Sequence, residues 1–217
     1  MNLDLERVHI IYPGVNIPET PPEFFSAQPP VMGYLSRLHP AQGFADVVDA
    51  FITLKKEPAL ASLQLRATGG ATPADKPFVD AIEKRLQKEG MLESAAIQRE
   101  FHAAPDAAFF GGLTVMSTPA ADGEAFGMHI IEALSRGIPV VQPAVGAYPE
   151  ILEGSGSGVL YDPKSKDSLA DALRTVLCDP EYARKLGRQG YEYARTRFSV
   201  ERMAFEMASL YEEACAR

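Results

Sequence analysis

VMGYLSRLHPAQGFADVVDAFITLKKEPALASLQLRAT, residues 31–68, contains a complete strand–helix–strand unit. Residues 31–35 (VMGYL) are a short apolar run of strand length. Residues 43–56 (GFADVVDAFITLKK) set Phe44, Val47, Val48 and Phe51 on one helical face, and 63–68 (LQLRAT) is a second short run closed by Gly69-Gly70. Strands apolar on both faces and separated by an amphipathic helix predict parallel pairing with helices covering the sheet. A right-handed crossover joins them.

Outward from this unit the alternation continues. A charged helix over about 76–89 ends at Gly90, residues 95–101 predict a short strand, and a short helix follows near 104–110. LTVMS (113–117) is another buried strand, and a helix from about Gly127 to Arg136 stops at Gly137. PVVQP (139–143), a short helix near 147–152 and the strand GVLYD after a Gly/Ser turn at 154–158 complete the alternating part. From 167 onward the pattern is helical: 167–177, 180–196 and 199–215. The expected fold is α/β, a doubly wound parallel sheet of Rossmann-like type with extra C-terminal helices. Ligands bind such sheets at the C-terminal ends of the strands, here the loops after residues 35, 68, 117 and 143. Upstream, the Pro-rich segment 18–30 cannot continue a helix or a central strand and reads as an ordered linker. The expected division is 1–30 as junction and linker, 31–198 as the Rossmann-like domain, and 199–217 as a separate helix.

With 217 residues, the chain fits one large domain, or one domain with a docking tail. A net charge of −8 argues against binding duplex nucleic acid or an acidic leaflet, both of which call for a basic face. Any anionic ligand must then be held by a few placed cations and by backbone N–H groups. Cys178 and Cys215 lack metal-ligand spacing and suit a reduced compartment, and His9, His39, His102 and His129 are scattered. No metal and no cofactor are expected. No apolar run approaches a membrane span, and Met1-Asn2-Leu3-Asp4 does not read as a signal peptide, so a cytoplasmic location is expected.

The strongest constellation is Glu124-Ala-Phe-Gly-Met-His-Ile-Ile-Glu132. Glu124 falls in the loop after a strand and Glu132 inside the next helix. Eight residues of helical rise separate them by roughly 12 Å at most. The helix start between them favours an anion. One carboxylate can take hydroxyls on one side of a bound diphosphate and the other hydroxyls on the far side. Glutamates at this spacing are common, so spacing alone leaves open a helix-start residue plus a solvated one. His129 reads as a packed or partly exposed helical histidine, Arg66 as half of a surface salt bridge, and Arg184, Lys185, Arg188, Arg195 and Arg197 as a solvated helix face.

The Glu124–Glu132 stretch resembles the E-x7-E signature of retaining glycosyltransferases of family 4, which have the GT-B fold. Further pieces fall in that family's order. Ile10-Ile-Tyr-Pro-Gly-Val-Asn16 resembles its junction segment, and Gly33-Tyr-Leu-Ser-Arg37-Leu38 with Gln42-Gly43-Phe44 resembles its phosphate loop. Pro139-Val-Val, Gly146-Ala-Tyr-Pro-Glu-Ile-Leu152 and Gly158-Val-Leu complete the series. The resemblance runs from about residue 8 to 212 and implies the C-terminal, donor-binding domain.

It implies catalytic roles for Glu124 and Arg37: Arg37 on the donor diphosphate, Glu124 on the donor sugar with the N–H groups around Phe126 and Gly127, and Glu132 on the ribose. Gly14 would let backbone approach the ligand, and Ser36 could reach a phosphate or simply pack. The implied donor is a UDP-, GDP- or ADP-sugar, transferred with retention and without a metal. The acceptor would sit on an N-terminal domain, against which residues 199–217 would cross back, and any contact with a membrane would be peripheral, through that domain. Val200, Met203, Met207, Leu210 and Ala214 form an apolar stripe that would otherwise invite self-association. Three departures stand out: Gln42 occupies the position of the family's lysine, Ser36 that of the glycine before the arginine, and Ala147 that of the second glycine of a pair. Gln42 keeps open an alternative, a non-catalytic nucleotide-sugar-binding or regulatory module.

Overall fold

The computed structural model describes residues 8–19, 29–101, 107–120, 123–165 and 167–216. Strands β1 (Val31–Leu35), β2 (Gln64–Thr68), β3 (Ala95–Ile97), β4 (Val115–Met116), β5 (Val140–Pro143) and β6 (Gly158–Tyr161) form one sheet. Between them lie α1 (Phe44–Lys55), α2 (Lys76–Lys88), α3 (Ala107–Phe110), α4 (Met128–Leu134) and α5 (Tyr148–Glu153). Helices α6 (Ser168–Leu177), α7 (Pro180–Arg197) and α8 (Val200–Cys215) follow.

Every strand pairing is parallel and the spatial order is β3-β2-β1-β4-β5-β6. The order reverses between β1 and β4, which is the switch point where doubly wound sheets open a crevice. One face is covered by α1, α2 and α6, which bury Val47, Phe51, Leu54, Val79, Leu86 and Leu173. On the other face α4 and α5 bury Ile130, Leu134 and Ile151 with Phe109 and Phe110. Truncating a fully buried ring such as Phe51 to alanine should cost about 3–5 kcal/mol. Helix α7 serves both clusters, with Leu186 in one and Ala194 in the other.

Helix ends follow their local chemistry. The Asp179 carboxylate accepts from the Tyr182 N–H at 2.9 Å, and the Ser199 hydroxyl accepts from the Arg202 N–H at 3.2 Å. Two strands are shorter than their apolar runs. At 113–117, Leu113 N–H turns back to the Phe110 carbonyl and the Thr114 hydroxyl accepts from Val31 N–H, so regular pairing is confined to Val115–Met116. At 95–101 pairing stops after Ile97 on the sheet edge. Of the linker 18–30 and the helix near 104–110, residues 20–28 and 102–106 lie outside the described residues.

The segment before the sheet is bound to the domain. Val15 makes a parallel bridge with Ser199 through Val15 N–H to Phe198 O (2.7 Å) and Val200 N–H to Val15 O (3.2 Å). Tyr12 packs on Phe126 and Phe198, and its hydroxyl donates to Glu150 at 2.5 Å. The first turn of α8 is docked the same way: Gly14 N–H reaches Met203 Sδ at 3.2 Å and Arg202 donates to the Tyr12 carbonyl. No residue of α8 is fully buried, yet the stripe of Val200, Met203, Met207 and Leu210 is half-covered. The large exposed apolar side chains of this helix are instead Phe205 (73 %) and Tyr211 (61 %).

Candidate functional site

The loops after β1, β2, β4 and β5 gather at the switch point because glycines let their backbones touch. A Cβ on Gly69 would lie 2.1 Å from the Ser36 carbonyl oxygen, and one on Gly43 2.1 Å from the Pro119 carbonyl oxygen. Both have positive φ, 131° and 72°, which side chains disfavour. Gly123 and Gly146 face each other in the same way. Tyr34, fully buried, sets its hydroxyl within 3.0 Å of the Arg37 carbonyl and 3.1 Å of the Gln42 carbonyl, pinning the β1–α1 loop. Burial pushes its phenol well above the usual range, so it stays protonated.

Glu124 lies between the glycine contacts, half-buried, with its backbone carbonyl accepting from Ala147 N–H at 3.0 Å. Gly127, with φ of 84°, caps α4 and accepts from Ile130 N–H. Glu132 sits inside α4, and burial pushes its carboxyl above the ordinary range while Arg136 opposes that shift. Neither carboxylate has a hydrogen-bond or ion-pair partner among the described residues. The same holds for the N–H groups of Phe126 and Gly127. Along the chain, two uncommitted acceptors thus bracket uncommitted donors, in the loop and helix that follow β4.

Other candidate residues have partners of their own. Arg37 is not poised alone: its Nε and Nη2 donate to Asp75 Oδ2 and Oδ1 at 2.8 and 3.0 Å, and Nη2 also reaches the Thr72 hydroxyl at 3.1 Å. Asp75, only 3 % exposed, also accepts from the Thr72 N–H (2.7 Å) and hydroxyl (2.6 Å). Arg37 and these bonds hold its carboxyl far below the usual range. The Ser36 hydroxyl donates to Gln42 Oε1 at 3.1 Å instead of standing open to a phosphate. Gly14 makes its close approach to Ser199 and Val200. The Phe126 ring packs into the Tyr12–Phe198 cluster.

Arg66 makes no salt bridge among the described residues; its Nη1 caps the carbonyls of Ala108, Phe109 and Gly111 at 3.1, 2.7 and 2.7 Å, the C-terminal end of α3. His129 is packed as expected: burial lowers its pKa to about 4, and Nε2 has no partner among the described residues. Asp75 was not among the residues singled out in the sequence. Its only local signal is Thr72-Pro-Ala-Asp75 ahead of a helix, which reads as a cap.

Among the described residues no group of three or more His, Cys, Asp or Glu side chains is arranged to hold a metal ion. Among them, too, no helix is long and apolar enough to cross a membrane. A cavity of about 640 Å³ at the ends of β5 and β6 is lined by Asp46, Thr53, Pro143, Tyr161 and Ser168, and contains neither Glu124 nor Glu132.

The family model for glycosyl transferases group 1 matches residues 17–193. D-inositol 3-phosphate glycosyltransferase of Corynebacterium glutamicum is 28% identical over 194 residues, covering 86% of this chain and 44% of that protein. A GDP-mannose-dependent phosphatidylinositol monomannoside mannosyltransferase of Mycobacterium tuberculosis is 24% identical, covering 82% of this chain and 46% of its own length. The chain thus spans about half the length of these relatives. Among solved structures, sucrose-phosphate synthase of Thermosynechococcus elongatus superposes with a TM-score of 0.77 at 26% identity, over 96% of this chain and 53% of that one. Anabaena Alr3699/HepE, solved with UDP and glucose, gives 0.72 at 23%, over 84% of this chain and 48% of that one. The six-stranded parallel sheet is therefore a GT-B-type Rossmann-like unit, and the chain belongs to the glycosyl transferases of group 1.

Proposed function

We propose that this chain binds the nucleotide-diphospho-sugar donor of a retaining, metal-independent glycosyl transfer. The observation that carries the reading is the pair Glu124 and Glu132, both unpaired among the described residues, on either side of the free N–H groups of Phe126 and Gly127. Glu124 binds sugar hydroxyls, Glu132 binds the ribose, and the N–H groups take the charge that develops as the diphosphate leaves. Arg37 offers its Nη1 edge to the diphosphate and Gln42 a neutral donor. The acceptor is held by a second domain. UDP is the first nucleotide to test, because Alr3699/HepE was solved with UDP. A thermal-shift series with UDP, GDP, ADP and their sugar conjugates tests the reading. A ligand at 100 times its Kd adds about 2.7 kcal/mol, and the absence of any shift across the series overturns the assignment.

A second reading, a nucleotide-sugar-binding module without turnover, is favoured by Gln42 and by the commitment of Arg37 to Asp75. Combining this chain with a domain that carries the acceptor separates the two, since only the enzyme reading yields transfer.

A further inference from the structure

The Arg37 guanidinium has two edges, and the Nε/Nη2 edge is occupied by Asp75 and Thr72. Asp75 is built in: it accepts two hydrogen bonds from Arg37 and two from Thr72, and it is 3 % exposed while Arg37 remains open to solvent. The neighbouring loop side chains, Ser36 and Gln42, are neutral and bonded to each other. The cation expected to meet a diphosphate therefore comes with its own counter-anion, and Arg37, Asp75, Ser36, Gln42 and Thr72 together carry no net charge.

This matters for the two diphosphates such a site meets. A nucleoside diphosphate has a terminal phosphate whose second ionisation falls near pH 6, about one more negative charge at neutral pH than a sugar-capped diester. A cationic site favours the more charged species, and a neutral one does not. We propose that Asp75 is a specificity-determining residue that cancels the charge of Arg37, biasing the site toward the sugar-capped diphosphate and against the terminal diphosphate left after transfer. The inference rests on the donor-site reading above and adds a reason for Asp75. The carboxylate keeps the spent nucleotide from outcompeting fresh donor.

The test is Asp75→Asn in the full chain, titrated calorimetrically with UDP, UDP-glucose, GDP and GDP-mannose. Any misalignment of Arg37 takes a cation away from the phosphates, so it weakens the more charged free diphosphate at least as much as the sugar conjugate and cannot move the ratio toward the free diphosphate. Removing the charge moves the ratio. The expected result is a shift of about threefold or more toward the free diphosphate, threefold being the effect of one unit charge several ångströms away when fully screened by water. A ratio that is unchanged, or that moves toward the sugar conjugate, overturns the proposal.

Should the variant not fold, the wild-type chain gives a second readout. Its affinity for the bound diphosphate should fall less than about threefold between roughly 50 and 500 mM NaCl, because a phosphate cluster without net positive charge has no attraction to screen. A larger fall overturns the idea. If wild type binds none of the four ligands, the donor-site reading fails and takes this one with it. Binding with an unmoved ratio removes only the role of Asp75.

Discussion

Gly43 lies so close to Pro119 that a Cβ there would stand 2.1 Å from the Pro119 carbonyl oxygen, which joins the loop after β1 to the loop after β4. The contact is backbone on backbone, so no side-chain rotation relieves it. Gly43→Ala should therefore destabilise by about 2–4 kcal/mol, through strain at positive φ plus displacement of a loop. For a chain of this size that is a drop in Tm of roughly 5–15 °C. Gly112→Ala is the control, with φ of 75° but nothing within 4 Å of a Cβ, and should cost only about 1 kcal/mol. Equal losses in thermal melts would show that the loop contact contributes nothing.

The glutamate pair separates by ligand. Glu132→Gln should weaken nucleosides and nucleotides alike, by about 1.5–3 kcal/mol, because it acts on the ribose. Glu124→Gln should spare the bare nucleotide and weaken only the sugar conjugate. Calorimetric titration distinguishes the two, and ribonucleotide affinity untouched in Glu132→Gln would mean that the pair is wrongly assigned.

Gln42→Lys restores a cation beside Arg37. It gives up the Ser36–Gln42 hydrogen bond at 3.1 Å and should still tighten nucleoside diphosphate binding, by 1.5 to about 3 kcal/mol at best. Unchanged affinity would place the phosphates away from this loop.

His129 sets a pH dependence. Burial lowers its folded pKa to about 4, below the unfolded value of about 6.5, so the unfolded chain binds the extra proton first. The stability it contributes is full above about pH 6.5 and lost as the pH falls toward 4, up to about 3 kcal/mol in all. Denaturant melts between pH 4 and 7 should show this slope in wild type and a shallower one in His129→Leu. Identical slopes in the two proteins would rule it out.

Phe205 and Tyr211 are exposed on α8, while the helix is anchored at its first turn by Gly14 and Arg202. Phe205→Ser with Tyr211→Ser should lower self-association in sedimentation and leave Tm within about 2 °C, since surface changes are small. A strictly monomeric wild type would end this expectation.

The sheet was legible because its signals are local and periodic. Val31–Leu35 and the Phe44, Val47, Val48, Phe51 face announce a strand and a helix within a few residues of themselves. Runs such as 113–117 mislead at the ends, because an apolar residue like Leu113 is as well buried in a turn as in a strand. Within the site, the order of motifs around Glu124 and Glu132, rather than their spacing alone, drew attention to the pair. The partnership of Arg37 with Asp75, 38 positions apart, depends on how the β1 and β2 loops meet around Gly69, which no local pattern reports. The destination of Phe126 likewise depends on Tyr12 and Phe198, contributed by distant segments.

The Val15–Ser199 bridge also has a mechanical meaning. Residues 8 and 216 lie on the outer sides of that clasp, and every strand of the sheet lies between its two halves along the chain. Tension applied at those two points passes first through the bonds joining Val15 to Phe198 and Val200, before any load reaches β1 or β6. The sheet and the loops it carries are thereby shielded from tugging at either end, and the clasp should be the first element to yield under force.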